Sequence, residues 1–219
     1  MSRRGPRRSR TRAAASTAAL AALLAACGSN GPSGDAGPTP GDAASDSSEG
    51  GALALTCASY CAGIVGTCTG SNQQYSDMAD CLRSCAAFPV GGSGDNLVDT
   101  LGCRVAHLAN AMSDDPTIHC VHAGPGGDTI CGDNCSGYCD IVMMYCTTAN
   151  DAKVYDDRAS CLADCGTRVR TAPYTAGDPG RTDHGNEVGC LLYYAQRAST
   201  APMSECLAHL ALGTTTCGP

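Results

Sequence analysis

The stretch CSGYCDIVMMYC, residues 135–146, places Cys135, Cys139 and Cys146 at i, i+4 and i+11. At ~100° per residue, three such positions fall within about 40° of one another on a helix. On a strand the first two would share a face and the third would not. The stretch therefore reads as a helix with its cysteines on one side. Cys57, Cys61 and Cys68 repeat the spacing, so they read the same way.

Working outward, the sixteen cysteines beyond Cys27 fall into two sets of eight. The first set is Cys57, Cys61, Cys68, Cys81, Cys85, Cys103, Cys120 and Cys131, with gaps of 4, 7, 13, 4, 18, 17 and 11. The second is Cys135, Cys139, Cys146, Cys161, Cys165, Cys190, Cys206 and Cys217, with gaps of 4, 7, 15, 4, 25, 16 and 11. Four of the seven gaps agree, and the same frame pairs Tyr60 with Tyr138, Tyr75 with Tyr155, Leu82 with Leu162 and Gly102 with Gly189. The pattern is that of an internal duplication spanning residues 55–132 and 133–219. Within each copy a second helix is expected over 76–88 or 156–169. A third is expected over 95–112 or 185–199, followed by a short irregular segment starting near Pro116 or Pro202. The expected fold class is all-α: two tandem, disulfide-stapled modules of about three helices each.

The amino-terminal region is of another kind. Arg3, Arg4, Arg7, Arg8, Arg10 and Arg12 precede an uncharged Ala/Leu-rich run from Ala13 to Ala26, too short to span a bilayer. Leu24-Ala25-Ala26-Cys27 then closes the run, and this resembles the lipobox of bacterial lipoproteins. The resemblance implies a signal peptide over 1–26, removal of that peptide, and lipidation of Cys27. It also implies attachment to the cell envelope, with Gly28 rather than Asp favouring the outer membrane. Using one cysteine for lipid resolves the odd total of 17. Residues 27–54 then form a Gly/Pro/Ser/Asp-rich tether that cannot bury enough apolar surface to order itself. The two cysteine-rich copies resemble uncharacterised repeats of bacterial surface lipoproteins, a likeness that implies location and architecture but no activity.

Removing residues 1–26 leaves eight basic against 21 acidic residues, a net charge of −13. A surface that tracks phosphates needs clustered Lys and Arg, so nucleic acid is not expected as a partner. The expected partners are the membrane, through the lipid, and an unidentified envelope or extracellular component.

With one Phe and no Trp, each copy of about 80 residues lacks the apolar burial to hold itself closed. Disulfides in an oxidising compartment fill that need. Folding the first two helices antiparallel about residue 72 puts Cys61 opposite Cys85 and Cys68 near Cys81. Folding at about residue 151 does the same for Cys139 with Cys165 and Cys146 with Cys161. The pairing of Cys57, Cys103, Cys120 and Cys131, and of Cys135, Cys190, Cys206 and Cys217, stays open at this level.

Thiolate ligation of zinc or copper(I) beside Met143 and Met144 is the competing use of these residues, but paired sulfurs leave no ligand set, and neither metal nor cofactor is expected. C-x-x-C, H-E-x-x-H, G-x-S-x-G and P-loop patterns are absent, so catalytic residues are not expected. His119 and His122, followed by the glycines of 124–127, read as an ordered turn beside a disulfide rather than as a ligand site. The second copy has Glu205 and His209 there, and Tyr194 at the place of His107, which suggests packing. The functional expectation is a non-enzymatic binding or structural module on the cell surface, with a metal- or redox-active protein and an enzyme with an unrecognised site as rivals.

Overall fold

The structure is a computed structural model, described here over residues 53–170, 172–177, 187–211 and 216–217. The signal, Cys27 and nearly all of the tether lie outside the described residues. Among those described the chain is helical without strands. In order the helices are α1 (Cys57–Thr67), α2 (Met78–Ala86), α3 (Leu101–Ser113), α4 (Pro116–Ala123), α5 (Asn134–Tyr145), α6 (Arg158–Cys165), α7 (Glu187–Ala198) and α8 (Pro202–Glu205). A π-helical turn over Cys206–Leu210 extends α8. None of these helices is long and apolar enough to cross a membrane.

Short polar side chains start the helices by accepting orphan backbone N–H groups. Thr56 caps α1, Asp77 caps α2, Thr100 caps α3 and Asp115 caps α4. Asp133 and Asp157 form reciprocal capping boxes with Ser136 and Ser160. The paired acids 114–115 and 156–157 thus include two helix caps. Asp115 followed by Pro116 at the first helical position makes α4 a full helix where an irregular tail was expected.

All sixteen cysteines of the two sets are paired. The first set forms Cys57–Cys85, Cys61–Cys81, Cys68–Cys120 and Cys103–Cys131. The second forms Cys135–Cys165, Cys139–Cys161, Cys146–Cys206 and Cys190–Cys217. This corrects the four expected bridges: Cys61 does not meet Cys85, Cys68 does not meet Cys81, and neither Cys139–Cys165 nor Cys146–Cys161 forms. The cause is where α1 and α5 end. Cys68 and Cys146 are C-cap residues with ψ of 83° and 69°, so they have already left the helix and turn away from its hairpin partner. The hairpin then shifts register by one turn, pairing the first two cysteines of one helix with the two of the next in reverse order. The freed Cys68 and Cys146 reach the fourth helical segment of their own half.

Every bridge closes within its own set of eight, yet packing does not respect that division. The described residues form one compact unit, and a single apolar core runs from Tyr60, Ile64 and Leu108 through Tyr138, Ile141, Val142 and Leu192. The Tyr145 hydroxyl donates to the Arg83 carbonyl at 2.8 Å, Arg83 Nε donates to Ser199 Oγ at 2.8 Å, and the Ala176 N–H donates to the Gln73 carbonyl at 2.6 Å. Gly137 lets α5 approach the loop after α4 closely, since a Cβ there would collide with the Pro125 carbonyl.

Each half carries a buried pair of edge-on tyrosines, with centroids 6.2 Å apart for Tyr60–Tyr75 and 6.3 Å for Tyr138–Tyr155. Tyr60 spends its proton on the Ala123 carbonyl at 2.6 Å, so Tyr75 donates to Tyr60 at 2.8 Å. In the other half Tyr155 spends its proton on Asp164 at 2.8 Å, so Tyr138 is the donor at 3.2 Å. Burial raises all four phenols above the usual range, Tyr155 to about 12. In the unfolded chain they ionise near the ordinary value of 10.0. The native state therefore holds protons that the unfolded state releases, and stability falls as pH rises from 10 through the raised values. In an alkaline titration followed by phenolate absorbance and circular dichroism, these four of the eight tyrosines are expected to ionise only as helix is lost. Complete ionisation near pH 10 with the helices intact would contradict this assignment.

Candidate functional site

A cluster of imidazole side chains lies where α3 and α4 fold back on each other. Only Asp114 and Asp115 separate the two helices. This hairpin brings His107 of α3 against His119 and His122 of α4, gathering three of the chain's five histidines. One ring nitrogen from each lies within 4.8 Å of the other two, and all three rings are half-buried. Ring centroids are separated by 5.4 Å for His107–His119, 5.0 Å for His107–His122 and 5.9 Å for His119–His122.

His107 Nδ1 faces His119 Nδ1 at 3.2 Å, while His107 Nε2 lies 3.2 Å from the Asn96 carbonyl. A carbonyl only accepts, so Nε2 carries the proton and Nδ1 presents a lone pair toward His119. Buried His122 Nδ1 has no hydrogen-bond partner. Burial lowers the affinity of His107 and His122 for protons, and the neighbouring imidazoles lower it further. Cys103 and Cys131 border His107, but their sulfurs are joined to each other and offer no thiolate.

Behind the histidines sits Arg104, fully buried. Its guanidinium donates to Asp99 at 2.8 Å and to the carbonyls of Thr100, Gly124 and Pro125 at 3.1, 3.2 and 3.3 Å, and it stacks over Phe88 at 4.0 Å. It thereby ties the carboxyl end of α4 to α3, and so holds the two histidine-bearing helices together. Beyond Asp99 an open cleft of about 440 Å³ is lined by residues of both halves, among them Asp133, Ser136 and Arg158. Arg158 bonds Asp140 at 2.6 Å, and Asp140 Oδ2 is buried without a partner. Burial outweighs Arg158 and raises Asp140 above the usual carboxylate range. The cleft thus presents hydroxyl, carboxylate and guanidinium groups side by side on an open polar surface.

The expected sites separate cleanly. The sixteen cysteines form cross-links, while Cys27 lies outside the described residues. The glycine-rich turn after α4 is present, with Gly127 at φ 63°, but the histidines beside it are not turn residues. Both stand on α4, and His107, read as a packing residue, joins them. The signal was available: two histidines three apart on one helix, a short connection, and a third twelve residues before them on the preceding helix.

Comparison with known proteins places residues 42–136, less than half of the chain, in a match to a family described as the BfoA family C-terminal domain. The Aurasperone B biosynthesis cluster protein A of Aspergillus niger is 38% identical over 81 residues, which are 36% of this chain and 26% of that protein. The Bifonsecin B biosynthesis cluster protein A of Aspergillus brasiliensis is 36% identical over 81 residues, or 36% of this chain and 27% of that protein. No solved structure matches. The chain thus spans about a quarter of the length of the curated relatives it matches, and it is similar to them over a cysteine-rich domain rather than over a whole protein.

Proposed function

We propose that the chain is an exported surface protein, held on the cell envelope by a lipidated Cys27, whose folded part acts without catalysis as a binding or structural module made of two related halves. The observation that carries this reading is the use of every cysteine from Cys57 to Cys217 in a disulfide. Sixteen cross-linked cysteines belong to an oxidising compartment and leave no thiol for nucleophilic or redox work in the folded part. Identical connectivity in the two halves supports the duplication, as does a family match that ends at 136, beside the expected boundary at 132–133. Two similar faces on an acidic tether suit a repeating extracellular partner, where avidity multiplies modest affinity. Residues 24–28, with their likeness to a bacterial lipobox, support the lipid anchor.

Intact-mass measurement of the mature chain tests the reading. The expected result is an acylated amino terminus at Cys27 and a gain of sixteen hydrogens on reduction, two for each of the eight bridges. Cys27→Ser should move the protein from the membrane to the soluble fraction with its bridges unchanged. An unacylated chain that still partitions with membranes, or one that alkylates readily without reduction, would refute it.

A further inference from the structure

The two halves provide an internal control for the histidine cluster. In the common cysteine frame His107, His119 and His122 correspond to Tyr194, Glu205 and Ala208. The second half builds the equivalent helices and equivalent bridges, Cys146–Cys206 and Cys190–Cys217, without the imidazole trio. What it builds instead is a packing arrangement: Tyr194 stacks on His209 at 4.0 Å, and Glu205 pairs with Arg197 at 3.6 Å. The fold therefore needs an aromatic ring at position 107 but not three converging imidazoles. Gathering three such rings, and leaving a buried ring nitrogen without a partner, costs stability that packing alone does not return.

We propose that His107, His119 and His122 form a binding site for a divalent late transition metal ion, of the Zn²⁺ or Cu²⁺ class. Imidazole nitrogen is the preferred donor for these ions, and three histidines with an open fourth position are an established coordination set. With metal–nitrogen bonds of ~2.0–2.1 Å, tetrahedral ligand atoms stand about 3.3 Å apart. The His107–His119 nitrogens are already 3.2 Å apart, and the remaining spacing of up to 4.8 Å closes with small side-chain rotations. The Asn96 carbonyl supplies the outer partner that ligating histidines need, because it holds the proton on Nε2 and aims Nδ1 inward. Half-burial leaves the fourth position to water or to a donor group of a partner. Hard ions such as Mg²⁺ and Ca²⁺ prefer oxygen donors and are excluded. The site does not depend on the lipid anchor.

Calorimetric titration of the chelator-stripped mature chain with Zn²⁺, then separately with Cu²⁺, tests the proposal. One ion per chain is expected, with Cu²⁺ tighter than Zn²⁺ and no response to Mg²⁺. His107→Tyr installs the residue the second half carries and should fold normally. It should weaken Zn²⁺ by more than the ~10–100-fold typical of losing an outer partner, because a ligand itself is lost. His119→Gln and His122→Ala should do likewise, whereas His209→Gln should leave affinity unchanged. Circular dichroism and the absence of free thiols confirm the fold of each variant. Absence of saturable binding to the wild type, or undiminished binding in all three ligand variants, overturns the proposal.

Discussion

Peptide mapping of the unreduced protein is expected to recover Cys57 with Cys85, Cys61 with Cys81 and Cys68 with Cys120, and the same pattern in the second half. Fragments joining Cys61 to Cys85 or Cys68 to Cys81 would contradict the hairpin register. Full reduction should unfold the chain at ambient temperature, because a core with a single Phe and no Trp cannot offset the backbone entropy that eight closures remove from the unfolded state. The individual bonds are not equal. The Cys68–Cys120 bridge spans 52 residues and Cys146–Cys206 spans 60, for which loop-closure entropy gives ~4 kcal/mol each. Cys61–Cys81 lies nested inside Cys57–Cys85, so either bond already shortens the loop the other closes. Losing one of the nested pair should then cost only about 2–3 kcal/mol. Urea unfolding of the Cys68→Ala, Cys120→Ala double variant against the Cys61→Ala, Cys81→Ala double variant should show the first with the lower midpoint. Equal midpoints would mean that native-state strain or residual unfolded structure, not loop length, sets the contribution.

Replacing Arg104 by alanine should be the most damaging change outside the cysteines, at roughly 3–5 kcal/mol. The guanidinium is fully buried, and its removal strands the Gly124 and Pro125 carbonyls, exposes one face of Phe88 and leaves Asp99 with only Arg158, 3.7 Å away. Arg104→Lys keeps the charge but cannot fan donors to a carboxylate and three carbonyls at once, so it should recover only part of the loss. The second half has Leu191 at this place, so the requirement comes from the loop after α4 and not from the helix itself. A loss below about 1 kcal/mol in Arg104→Ala by urea unfolding would show that water replaces the guanidinium without penalty.

Much of the architecture could be read from cysteine spacing alone. The i, i+4 pairs identified α1, α2, α5 and α6, and the paired gaps identified two sets that each close on themselves. Pairing within the hairpins is not legible at that level, because periodicity says which residues share a face but not where a helix stops. Cys68 and Cys146 continue the helical spacing in sequence and leave it in conformation, which displaced the expected register by a turn. The histidine site was missed for a related reason. In the sequence His119 and His122 stand beside the glycines that follow them, whereas in the fold their partner is His107, on a helix that precedes them. Arg104 carried no signal at all, since a lone arginine on an amphipathic helix looks like a solvated residue until a loop closes over it.

Local spacing, capping residues and composition were enough for the helical class and for cysteines spent on disulfides, because those properties follow from chain periodicity and from how little apolar surface is present to bury. Which sulfurs meet, how the halves share a core and which imidazoles converge depend on contacts between residues far apart in the chain. Such contacts are selected by the packing of whole helices, where a one-turn shift in register exchanges every partner at once.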